Sequence, residues 1–148
     1  MKRTIVLLMA IAFYTCASAQ NTQAPAEAEN AFKEKFPSAT NVSWVAKDKN
    51  YEATFTDGGK KQKAEFNAKG KWVEGETMVD PNQLPKVIVD AVSEKYVGYT
   101  IKEAEQVDKK VGPTVYELDI ESNRKVCQVK YNAQGDQVGA TQCSLAEH

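Results

Sequence analysis

Phe66-Asn67-Ala68-Lys69-Gly70 returns later in the chain as Tyr131-Asn132-Ala133-Gln134-Gly135. Other echoes surround this one. Gln23-Ala24-Pro25, Ala31 and Glu34-Lys35-Phe36 return 60 residues on as Gln83-Leu84-Pro85, Ala91 and Glu94-Lys95-Tyr96. Tyr51-Glu52 returns 65 residues on as Tyr116-Glu117, so the second copy holds about five extra residues before Tyr116. Self-similarity at a fixed period marks one supersecondary unit used more than once.

Each copy opens on a helical pattern. Leu84, Val87, Ile88, Ala91, Val92 and Tyr96 fall on one face of a helix, with Pro85 in the first turn and Gly98 just past the end. Ala24, Ala28, Ala31, Phe32 and Phe36 form a weaker version that Pro37 stops. Alternating segments follow: Val42, Trp44 and Ala46; Tyr51, Ala53 and Phe55; Ala64 and Phe66; then Lys71 to Met78. In the second copy they are Ile101 to Asp108; Tyr116, Leu118 and Ile120; Cys127, Val129 and Tyr131; and a last strand through Val138 and Ala140. Asp57-Gly58-Gly59 and the two Asn-Ala-x-Gly stretches are turns. The expected fold class is α+β: a tandem repeat of a helix plus a four-stranded antiparallel sheet (α-β4-α-β4), repeats at about 23–79 and 83–143. Asp80-Pro81-Asn82 is too short to be a free linker, so the copies are expected to pack as one domain, 20–148.

The first residues read as a targeting segment. Lys2 and Arg3 precede an apolar run from Ile5 to Phe13, and Ala17-Ser18-Ala19 fits a cleavage site. A signal peptide over 1–19 and a periplasmic or secreted product follow as expectations. The remainder carries 17 basic and 20 acidic side chains, interspersed. No basic block offers a nucleic-acid footprint, and no other stretch is apolar enough to span a membrane.

Cys127 and Cys143 would remain after cleavage, and an even pair in an exported chain makes a candidate disulfide. Strand geometry opposes it: a four-residue loop at Asn132–Gly135 puts Cys127 opposite Ala140, and alternation points the two cysteines to opposite faces, unless a bulge or a strand end restores the pairing. Two separate thiols remain the alternative.

Several stretches together resemble the PepSY-like, β-lactamase-inhibitor-like (BLIP-like) domains exported by Bacteroidetes. They are Ala31-Phe32-Lys33-Glu34-Lys35-Phe36-Pro37, Asn41-Val42-Ser43-Trp44, Tyr51-Glu52-Ala53 and Phe66-Asn67-Ala68-Lys69-Gly70-Lys71-Trp72, with their second-copy counterparts. The resemblance implies helices packed on one face of a curved antiparallel sheet. It supplies no catalytic or inhibitory residues, and a shared fold alone does not establish function.

Chemistry is sparse. The single histidine is the last residue, His148, so a Ser-His or Cys-His nucleophile lacks its base. Glu103, Glu105 and Asp108, and the alternating Glu117, Asp119 and Glu121, read as a solvated sheet face rather than a metal site. No cofactor and no enzyme activity are expected. Binding is the better reading: Trp72, Val45, Lys61, Lys63 and Lys130 are expected to share the open sheet face and engage a protein partner, although a bulge after Gly70 would turn Trp72 to the other face as a packing residue. The product would then be a non-enzymatic envelope module, an inhibitor or modulator of another protein. The alternative is a small-molecule or cation carrier with a site between helix and sheet.

Overall fold

The computed structural model describes residues 23–145. The expected signal peptide and His148 lie outside these residues. The described chain runs α1 (Ala26–Lys35), β1 (Thr40–Lys47), β2 (Asn50–Asp57), β3 (Lys60–Asn67), β4 (Trp72–Met78), α2 (Lys86–Lys95), β5 (Thr100–Lys109), β6 (Val115–Glu121), β7 (Lys125–Asn132) and β8 (Gln142–Leu145). A 3-10 turn at Pro81–Gln83 precedes α2.

The expected fold class, a tandem of helix-plus-four-strand units, is corrected. The eight strands form one antiparallel sheet in the order β1 to β8, covered, among the described residues, by two α-helices. The reason is the pairing of β4 with β5, from Glu74 opposite Lys109 to Met78 opposite Glu105. Val79 N–H donates to the Ala104 carbonyl and Lys110 N–H to the Val73 carbonyl, extending the join beyond both strand ends. Two separate sheets would leave these backbone groups on bare edges, and pairing satisfies them.

The helices form where the apolar spacing is four residues. Ala28 and Phe32 are buried along α1 and Ile88 and Val92 along α2, and Ala24 and Leu84, just before each helix, continue the two stripes. Pro25 and Pro85 sit at the helix starts, where a missing N–H is harmless. Phe32 is the hub beneath α1, with ring centroids 4.9 Å from Phe55, 5.4 Å from Trp44 and 6.2 Å from Phe66. A second cluster under α2 joins Ile88 and Val92 to Leu118, Ile120, Cys127, Val129 and Tyr131. Both lie on the same side of the sheet, because Ala64, Gly75, Asp108 and Ala104 share one side by strand alternation.

The Asn-Ala-x-Gly turns seat the helices. Asn67 Oδ1 accepts from the Lys69 and Lys71 backbone, and Asn132 Oδ1 from the Gln134 and Asp136 backbone. Gly70 and Gly135 adopt left-handed φ of 73° and 86°. They also touch the helices: an added Cβ at Gly70 would stand 2.5 Å from the Glu27 carbonyl oxygen, and at Gly135 2.6 Å from Val87 Cγ2. Glycine is needed at both places for conformation and for room.

The last strand is displaced from its expected place. Tyr131 bridges Gln137, but Cys127 pairs with Cys143, not Ala140. The added residues fall around Gly139, whose φ of 72° lets the chain turn before β8. Directly opposed residues share a face, so the parity objection to a Cys127–Cys143 link does not apply, and the structure contains that disulfide.

Two stability outcomes follow. Gly58 has the same left-handed backbone but open space around it. Gly58→Ala should cost about 1 kcal/mol, the left-handed penalty alone. Gly70→Ala should cost clearly more in urea unfolding, because α1 must move; equal losses would show that the contact with Glu27 is unimportant. Phe32→Ala should lose about 3–5 kcal/mol by removing the hub of its cluster.

Candidate functional site

The candidate site is the face of the sheet that carries no helix. Strand alternation and register place its side chains. Val45 stands beside Glu52, Glu65 and Glu74 across β1 to β4. Lys63 stands beside Thr54 and Glu76, and Lys130 beside Glu117 and Glu105. Lys61, opposite Thr56, shares their side. Of the five residues expected there, Val45, Lys61, Lys63 and Lys130 lie on the open face.

Trp72 does not, and its placement is a correction. Glu65 pairs with Glu74 while the adjacent Phe66 pairs with Trp72, so Val73 is an extra residue in β4. A bulge of this kind reverses the faces beyond it. Trp72 therefore joins the α1 cluster, with Lys35 Nζ 4.6 Å above its ring. The indole lies over Gly75: an added Cβ there would be 3.5 Å from Trp72 Cζ2. The two small residues Ala64 and Gly75 leave the space that the ring fills. A polar tryptophan neighbour such as Lys71 gave no hint of this; the glycine three residues on was the available signal.

Charge networks organise the open face. Lys63 Nζ lies 2.6 Å from Glu76 and 3.3 Å from Glu105. Burial pulls the Lys63 ammonium down, but the hydrogen bond and charge of Glu76, aided by Glu105, overcome this and hold it above its ordinary value. Lys47 sits 3.0 Å from Glu52, 3.2 Å from Glu65 and 3.8 Å from Glu74, and its net shift is also upward by the same balance. Glu65 is the buried carboxylate, 8% exposed, and Asn50 donates a second hydrogen bond to it. Lys130 lies 2.6 Å from Glu117.

Toward β6 the balance changes sign. Glu103 is opposite Asp119 and Glu105 is opposite Glu117 on adjacent strands. Lys63 serves Glu105 and Lys130 serves Glu117, whereas Asp119 meets no lysine among the described residues and accepts from the Gln128 amide at 3.5 Å. Two shallow depressions lie here, of about 220 Å³ around Lys61, Lys63, Glu76 and Met78, and about 140 Å³ around Glu103, Glu117 and Asp119. Among the described residues no group of three or more His, Cys, Asp or Glu is placed to hold a metal ion. Asp108 points to the other side, bonded to Thr114 and Gln106. Among the described residues there is no histidine, and both cysteines are in the disulfide, so no nucleophile–base pair of the Ser-His or Cys-His kind can be assembled there.

A separate groove of about 290 Å³ runs between the end of α1 and the edge strand β1. Phe32, Phe36, Pro37, Val42 and Trp44 line it. Val42, which alternates with the buried Trp44, is 39% exposed at the groove's rim. No helix among the described residues is long and apolar enough to cross a membrane.

Solved structures share this fold. A DUF2874 family protein from Bacteroides uniformis superposes with a TM-score of 0.75 at 20% identity, over 83% of this chain and 90% of that one. A BLIP-like protein from Bacteroides fragilis gives 0.73 at 21% identity, over 86% and 92%. A Bacteroides eggerthii protein described as periplasmic gives 0.77 at 17% identity, over 82% and 90%. Identities this low show the fold alone. The comparison with curated proteins returned no match. The family described as beta-lactamase-inhibitor-like, PepSY-like matches residues 49–137, which is more than half of the chain. The chain belongs to that PepSY-like, beta-lactamase-inhibitor-like family.

Proposed function

We propose that this protein is a non-enzymatic binding module of the cell envelope, which engages a protein partner through the open sheet face. The observation that carries the reading is the asymmetry of the sheet. Both helices and both apolar clusters lie on one side, and the other side carries no helix among the described residues; Val107 and Glu65 are buried there, and ion pairs already hold its charges in place. Pre-positioned ion pairs lower the ordering cost of association and set which surfaces can approach. A face of this kind suits recognition of another protein's surface, as an inhibitor or modulator would require. Export to the periplasm agrees with the expected signal peptide and with the description of the B. eggerthii protein. The partner is then an envelope or secreted protein.

The groove beside α1 keeps a second reading in view. Its aromatic lining and volume approach those of small-molecule pockets, and a carried ligand would sit there between helix and sheet. Native mass spectrometry of protein purified from its own cells would show such a ligand as added mass that denaturation removes.

The partner reading is tested by a photoreactive residue placed at Glu103 or Gln128 on the open face, and at Lys86 on the exposed side of α2. Crosslinking in intact cells should give a discrete protein adduct from the first two positions and none from the third. Adducts of equal yield from Lys86, or none from the open face, would remove the support for this surface.

A further inference from the structure

The two edges of the sheet are held in different ways. At the first edge, β1 is anchored by Trp44, which is 8% exposed and packed into the α1 cluster. At the other edge, β8 has four residues, all exposed. None of its side chains enters the core. Among the described residues its attachments are the backbone ladder to β7, from Lys125 opposite Leu145 to Gln128 opposite Gln142, and the Cys127–Cys143 bond. The strand beneath it is secured independently: Cys127, Val129 and Tyr131 of β7 are all buried under α2. Four ladder positions without side-chain burial make a marginal strand end of the kind that frays.

We propose that the Cys127–Cys143 bond is a redox-sensitive latch that holds β8 over the edge of β7, and that reduction by a dithiol uncovers that edge while the rest of the fold stays intact. The place where release stops is also visible. The Tyr96 hydroxyl bonds Gln137 Oε1 at 3.1 Å and Thr141 Oγ1 at 3.0 Å, and the Gln137 amide donates to Thr141 Oγ1 at 2.7 Å. These contacts pin the preceding loop to the end of α2. Residues 142–145 therefore swing free after Thr141, and Lys125–Gln128 of β7 are left with unpaired N–H and C=O groups. An uncovered strand edge is an acceptor for an added strand.

The exchange balances with a dithiol as the only reactant. A reductant thiolate attacks the Sγ of Cys143, the exposed residue of the pair, and breaks the S–S bond. Cys127 leaves as a thiolate and takes up a proton. The reductant's second thiol then attacks its own sulfur in the mixed disulfide and releases Cys143, which is protonated. The reductant ends as a disulfide, and the protein has gained two electrons and two protons.

Hydrogen-exchange mass spectrometry on the full chain tests the latch, comparing the oxidised protein, the same protein in dithiothreitol, and Cys143→Ser. Amides of β7 that bond β8, and those of 142–145, should exchange roughly tenfold faster in both altered forms. Amides of α2 and β6 should keep their protection. Reduction of folded wild type reads the same amides should Cys143→Ser not fold. Unchanged exchange in β7 would overturn the latch, as would protection lost equally in α2 and β6, or a bond that dithiothreitol reduces only after the chain is unfolded.

Discussion

The ladder between β4 and β5 is the interaction on which the rest of this structure depends. It places Ala64, Gly75, Asp108 and Ala104 on one side of a continuous sheet, and so sends both helices to the same side. It also leaves the opposite side open from β1 to β8. Without it, two small units of one helix and four strands would each expose a bare edge and bury less surface, a poor prospect for chains of that size. The ladder itself brings little apolar contact. On the helix side the seam carries Gly75, Gln106 and Asp108, with Thr114 bonded to Asp108. The two buried clusters accordingly remain separate, one beneath each helix.

Much of the local structure was legible in the sequence because it depends on nearby residues. The four-residue spacing of Ala24, Ala28 and Phe32 and of Leu84, Ile88 and Val92 identifies the buried helix stripes, and those residues are buried. The Asn-Ala-x-Gly turns were legible for the same reason, since the asparagine bonds its own turn. That Gly70 and Gly135 also make room for helix backbone is a tertiary fact with no local mark. The joining of β4 to β5 was not legible either: alternation says which residues share a face, and it does not say which strand lies beside which.

The errors of face assignment share one cause, an odd number of inserted residues. Strand parity has a period of two, so one extra residue reverses every assignment beyond it. Val73 does this to Trp72, which leaves the open face for the α1 cluster. Extra residues around Gly139 do it at the other end and bring Cys143 opposite Cys127. Val45, Lys61, Lys63 and Lys130 lie in regular stretches of their strands, and their placement could be read by counting. Bulges are fixed by what they pack against, here the space above Gly75 that the Trp72 ring fills, and that is settled only when the strands are assembled.

The charges of the open face are hard to account for as stabilising devices. Exposed ion pairs contribute about 0–1 kcal/mol each, and like charges set directly across an antiparallel ladder cost stability. Yet Glu103 faces Asp119, and Glu105 faces Glu117, on the same two strands. Threonine or glutamine at these positions would keep the face soluble and remove the repulsion. The lysines offset it only in part, because Lys63 and Lys130 reach Glu105 and Glu117, while Asp119 is met by the neutral Gln128 amide. The cost falls on the face that the helices leave open, while the clusters buried beneath the helices are apolar. A surface that carries repulsion where neutral residues would serve the fold equally well is better understood through what approaches it than through what it stabilises.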